Sequence, residues 1–169
     1  MIMRSVALAG GLAGAATSAQ FPEFSQQYMQ RLGGAVDALG EVVADFDASA
    51  AASDLSRDAA LAQLQGTDFL ERRRADMTRS INRYTQLRGD LALLENQGPF
   101  MRAYHASRFT DPEIARAAWA AFQPAVPVNF AGLSFAGVGF VVGLLAVSLL
   151  AGVLRMPFRR RRAAHAAPQ

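Results

Sequence analysis

Hydrophobic positions follow two patterns along this chain. At both ends they run together. Between the ends they recur every three or four residues. The C-terminal run, 130–154, reads FAGLSFAGVGFVVGLLAVSLLAGVL and carries no charge over 25 residues. A helix rising 1.5 Å per residue covers the roughly 30 Å hydrocarbon core with that length. Arg155, Arg159, Arg160, Arg161 and Arg162 follow it. An apolar span closed by arginines predicts a transmembrane helix over 128–155, with a basic cytoplasmic tail over 156–169.

The N-terminal run, MIMRSVALAGGLAGAATSA, has Arg4 as its one charge. Two readings compete. One is a signal peptide cleaved after Thr17-Ser18-Ala19. The other is a retained transmembrane anchor over 1–21, lengthened through the interface by Gln20, Phe21 and the residues up to Phe24. Packing favours the anchor. Small residues recur at Ala7, Gly11, Gly14 and Ser18, and again at Gly132, Ala136, Gly139, Gly143 and Ala146. Both series step by four and three. Such seams let backbones approach closely in lipid, where no hydrophobic effect draws helices together. The expectation is an antiparallel pair of spans meeting on these faces.

With both ends crossing, the positive-inside rule puts both termini in the cytoplasm and residues 22–127 in the periplasm of a bacterium. Two long amphipathic patterns occupy this segment. The first carries Phe24, Tyr28, Leu32, Ala35, Leu39, Val42 and Phe46, a coiled-coil type stripe, and ends within 45–53. Ser53 or Ser56 caps a short helix to about Gln65, which Gly66 breaks. Thr67 or Asp68 then caps the longest helix of the segment, to about Asn96. Its stripe is Leu70, Met77, Ile81, Tyr84, Leu87, Leu91 and Leu94, and Gln97-Gly98-Pro99 stops it. Arg72, Arg73, Arg74, Arg79, Arg83 and Asp76 lie on its other faces and read as a solvated surface. The two patterns predict an antiparallel hairpin with Tyr28, Leu32, Leu39, Phe46, Met77, Ile81, Tyr84 and Leu91 as its core.

Downstream, Phe100–Arg108 is a short third piece. Thr110-Asp111-Pro112-Glu113 starts a helix to about Phe122, either as a Thr110–Glu113 capping box or with Asp111 as cap and Pro112 at N1. Ile114, Ala118 and Phe122 share its face, and Trp119 is expected at the membrane interface. The stretch QPAVP, 123–127, is expected to be extended. Asn129 is placed to cap the second span. The fold class is therefore all-α: two transmembrane helices flanking a periplasmic, coiled-coil-like hairpin.

Charge sharpens the topology. The net charge is +3, and all 17 basic residues are arginine. Six arginines lie outside the middle segment. From Gln20 to Asn129, 11 arginines stand against 14 acids, a balance of −3. A nucleic-acid binder more often carries its basic excess on the folded part. The RRRR tail reads as a topology signal, with contact to anionic headgroups as the sharper alternative.

Two stretches, FPEFSQQYMQRLGGAVDAL and DPEIARAAWAAFQPAVPV, and the order of elements between them resemble a family of small bacterial membrane proteins known only as domain of unknown function 2937. Within these, Gln27-Tyr28 with Arg31, Asp111-Pro112-Glu113, Trp119 and the Val126-Pro127 step carry the likeness. The resemblance implies a two-span inner-membrane protein and transfers no catalytic residue.

Chemistry is sparse. The chain has no cysteine and two histidines, His105 and His165. Neither has the spacing of a metal site. Asp45 and Asp47 do not share a helix face. No nucleotide-binding or nucleophile-elbow pattern occurs, and the spans hold no acid or histidine for a proton path. The expectation is a protein that is not an enzyme, with no cofactor, metal, small-molecule substrate or nucleic acid. Its partners would be the lipid bilayer and another membrane protein. In that reading it is an accessory or scaffolding subunit of a larger inner-membrane complex. The alternative is a periplasmic module gripping a soluble or envelope partner with its hairpin.

Overall fold

The computed structural model describes residues 2–124, 126 and 128–164, with side chains described within 3–154. Every regular element among the described residues is helical. The chain divides into two compact units, 1–23 with 123–169, and 24–122.

The first unit is a pair of helices. α1 (Ile2–Ser18) has 17 residues, about 25 Å, which is short of the hydrocarbon core. α7 (Phe130–Ala164) has 35 residues. Its segment Phe130–Leu154 is the one helical stretch among the described residues long and apolar enough to cross a membrane, and only 6% of its most apolar window is buried. By length and hydropathy, then, one candidate span stands among the described residues where two spans were expected. α7 begins under the predicted cap, with the Gly132 amide donating to Asn129 Oδ1 at 2.8 Å. It continues through Ala164, so the part of the tail up to that residue is helical. His165 and the rest of the tail lie outside the described residues, as do Ala125 and Pro127 of the expected extended stretch.

The second unit is built on α2 (Phe21–Ala52) and α4 (Asp68–Leu94). α2, at 32 residues, is the longer, not α4. It begins with Pro22 in its first turn, where proline is tolerated. α3 (Arg57–Gln63) is capped by Ser56, whose hydroxyl accepts the Ala59 amide. α4 is capped by Thr67, which accepts the Leu70 amide. Between them Gly66 has φ +95°, a conformation side chains rarely adopt. α5 (Pro99–Tyr104) and a 3-10 turn (Ala106–Arg108) follow. α6 (Pro112–Ala121) takes Asp111 as its cap rather than Thr110.

One core joins these helices. Tyr28, Met29, Leu32 and Val36 of α2 cluster with Leu87 and Leu94 of α4 and Ile114 and Ala118 of α6. Phe24, Ala35, Leu39, Tyr84, Leu91 and Phe109 pack against it. Of the predicted core residues, Tyr28, Leu32 and Ile81 are buried, while Leu39, Phe46, Met77, Tyr84 and Leu91 are half-buried. The stripe on α2 is displaced at its end: Val42 is 45% exposed, and Val43 and Ala50 are buried instead. The steps that run through Val42 belong to a 3.5-residue repeat. A straight helix drifts about 20° per heptad from that repeat.

Candidate functional site

Chemistry-bearing side chains of residues 24–122 converge where the turn before α6 meets the core. Tyr28 is fully buried there. Its ring lies 4.5 Å from that of Phe109, and its hydroxyl accepts the Asp111 amide at 3.3 Å. Asp111 Oδ1 accepts the Glu113 and Ile114 amides at 2.9 and 3.0 Å, which caps α6. Its other oxygen meets Arg83 of α4 at 2.9–3.0 Å, and Arg83 also pairs with Glu113 at 2.8 Å. Beside this set, Asp90 is only 3% exposed. It accepts the Thr110 hydroxyl at 2.7 Å and faces Arg108 at 3.6 Å, while Gln86 donates to Thr110 at 3.0 Å.

The electrostatics follow from that geometry. Burial pushes the Tyr28 hydroxyl above its ordinary pKa of 10.0. The hydrogen bond at Asp111 opposes this, and the carboxylates of Asp111 and Asp90 add to it. Burial works against the Arg83 charge, but Asp111 and Glu113 outweigh it and hold the guanidinium above its usual value. Tyr28 is thus kept protonated and Arg83 is doubly paired. The cluster fastens the end of α6 to α2 and α4. Each of its polar side chains is engaged in a hydrogen bond or an ion pair. Arg83 therefore corrects the expectation of a purely solvated arginine face.

Elsewhere in this unit, Asp47 binds Arg57 through two hydrogen bonds, one of 2.7 Å to Nε. That contact holds the Asp47 carboxyl below its ordinary range. Arg79 pairs with Asp76. The His105 ring packs edge-on against the Tyr104 ring, with centroids 5.0 Å apart. No group of three or more His, Asp or Glu able to hold a metal occurs among the described residues. Phe24, Trp119 and Phe122 form an aromatic cluster with centroids 5.8–6.3 Å apart, and Trp119 remains 68% exposed.

The first unit holds the second candidate, a seam between α1 and α7. A Cβ added at Gly14 would collide with the Gly139 carbonyl, one at Gly139 with the Gly14 carbonyl and Ser18, and one at Gly143 with the Gly10 carbonyl. As α1 runs 10, 14, 18, its neighbours on α7 run 147, 143, 139, so the pair is antiparallel. Backbones this close place glycine Cα–H groups on facing carbonyls, contacts worth about 0.5–1 kcal/mol each. A Cβ added at Gly11 would come within 2.8 Å of the Phe140 ring, at its Cε2. Gly132 is buried and Ala136 half-buried, whereas Ala146 is exposed. The seam passes through Val147, which meets Gly10, and not through Ala146. The physical reason is the step. Contact residues recur every four positions on both helices, while a series of alternating fours and threes drifts off that face. Gly10 and Val147 were missed, although Gly10-x-x-x-Gly14-x-x-x-Ser18 stands in the sequence. Asp90, Thr110 and Arg108 were missed because no local spacing links residues some 20 positions apart.

The family described as Protein of unknown function (DUF2937) matches residues 2–160. The chain belongs to that family. The match takes in both units, and so the seam and the Tyr28–Asp111 cluster alike. No curated protein and no solved structure matches the chain.

Proposed function

We propose that this DUF2937 chain is a non-catalytic protein of a bacterial inner membrane, an accessory or scaffolding subunit of a larger membrane complex. In this reading α1 and α7 both cross the bilayer and both termini are cytoplasmic. Residues 22–127 form a periplasmic arm in which α2 and α4 run as an antiparallel hairpin.

The observation that carries the reading is the exposed face of α7. Leu133, Val138, Val141, Val142, Leu145 and Leu149 are all more than half exposed, along a stretch with no charge that arginines close. A core helix of a water-soluble protein hides such residues, and lipid or another membrane helix covers them here. α1 is short for a span by itself. Its tight pairing with α7 supports its crossing, because short spans are tolerated by local thinning of the bilayer.

A second reading has its own support. Phe69, Tyr104 and Trp119 are 68–79% exposed in the other unit, and exposed aromatic rings favour protein contacts. In that case the arm itself grips a periplasmic partner. A mild-detergent pull-down followed by mass spectrometry separates the two. Gly139 and Gly143 are occupied by α1, so the informative changes lie on the open face. Val142→Trp with Leu145→Trp releases the co-purifying membrane protein in the first reading. Tyr104→Ala with Trp119→Ala releases it in the second. Retention of the same partners by both variants would count against both.

A further inference from the structure

Beside their line of contact, α1 and α7 leave a cleft of about 260 Å³ lined by Met3, Arg4, Ala7, Ser148, Ala151 and Gly152. It exists because its walls are small: a Cβ on Gly152 would meet nothing within 4 Å. Arg4 is the single charge of α1. It forms no ion pair among the described residues, and the sequence explains why. The stretches 1–22 and 123–169 contain no Asp or Glu, while Arg155 and Arg159–Arg162 follow Gly152 directly. No acidic side chain of 1–22 or 123–169 is therefore there to neutralise Arg4, which is itself exposed.

We propose that this cleft holds one anionic phospholipid, with its phosphate oxygens on Arg4 and an acyl segment along Ala7, Ala151 and Gly152. A guanidinium at the edge of an apolar slot matches a lipid phosphate above its chain. Gly152 lies two residues inside the apolar stretch that ends at Leu154, which is headgroup depth if α7 spans. The proposal rests on that membrane reading. Free inorganic phosphate shares the oxyanion chemistry, but the uncharged walls favour the lipid.

The test uses native mass spectrometry of the full chain in mild detergent, supplied with phosphatidylglycerol, phosphatidylcholine or inorganic phosphate. The wild type is expected to retain one phosphatidylglycerol in preference to phosphatidylcholine. Arg4→Gln lowers that retention about fivefold, the factor matching ~1 kcal/mol per arginine at an anionic surface. Gly152→Leu fills the slot with the charge intact and lowers it comparably, and Ala151→Leu does the same from the neighbouring wall. A disulfide between Gly10→Cys and Val147→Cys reports that α1 and α7 remain paired in each variant. The proposal is overturned if both filling variants stay paired and keep the lipid. It is equally overturned if equimolar inorganic phosphate displaces the lipid. Carbonate extraction separates the two levels. A protein that stays in the membrane yet shows no lipid preference sinks the cleft alone, and one that carbonate extracts sinks the membrane reading with it.

Discussion

Where Gly14, Gly139 and Gly143 face carbonyls of the opposite helix, a hydrogen is the largest group that fits. In the core of residues 24–122 the corresponding places hold Tyr28, Leu32, Leu87 and Leu94, all nearly or fully buried. The first contact is backbone against backbone at Gly14, Gly139 and Gly143, with Ser18 and Val147 at its ends. The second is side chain against side chain, tied at one end by Asp111, Arg83 and Tyr28. On the membrane reading proposed above, the difference matches two solvents. In water, burying large apolar groups drives association at about 25 cal/mol per Å². In lipid that force is absent, and close approach of small residues takes its place.

The contrast is broken most severely by adding volume to the seam. Gly14→Leu and Gly139→Leu set a side chain against a carbonyl that cannot yield, and they are expected to separate α1 from α7. Overpacking costs about 1–3 kcal/mol where side chains can adjust and more where they cannot. The chain has no native cysteine, so cross-linking of the pair Gly10→Cys and Val147→Cys reads this directly. The Cβ positions are about 3.0 Å apart, and cross-linking should fall at least tenfold.

Removing volume should do most harm in the other unit. Leu32→Ala is expected to cost about 2–5 kcal/mol, measured by denaturant unfolding of the solubilised chain, while α1–α7 cross-linking stays unchanged. Asp111→Ala removes a helix cap worth about 1 kcal/mol and leaves Arg83 with Glu113 alone. A loss of about 2 kcal/mol is expected, with amide exchange of α6 speeding first.

Tyr28 supplies a pH test. Its pKa is raised on folding, so its stabilising contribution is complete below the unfolded value near 10 and is lost as pH rises beyond it. Stability of this unit should fall above pH 10, and Tyr28→Phe should flatten that fall. The smallest effect has the opposite sign. Gly34 and Gly89 sit mid-helix with open space around them, so Gly34→Ala or Gly89→Ala should stabilise by about 0.5–1 kcal/mol.

Much of this was legible in the sequence because it is local. The caps Ser56, Thr67 and Asn129, the Gly66 break and the uncharged α7 all rest on signals within a few residues. The seam was half legible. Its residue type was visible, but its face was not, since Gly10 and Gly11 adjoin and only contact with Val147 and Phe140 decides between them. The Asp90–Thr110 and Arg83–Asp111 ties were illegible, because they join positions 20 and 28 apart that meet only once the core has formed.

The account depends most on where the arm lies. A cysteine placed at exposed Gly89 and, separately, one appended after Gln169 can be treated with a membrane-impermeant maleimide in cells whose outer membrane alone is permeabilised. The account predicts labelling of Gly89→Cys in intact cells and of the appended cysteine only after lysis. The reverse pattern, or labelling of both in intact cells, would contradict it.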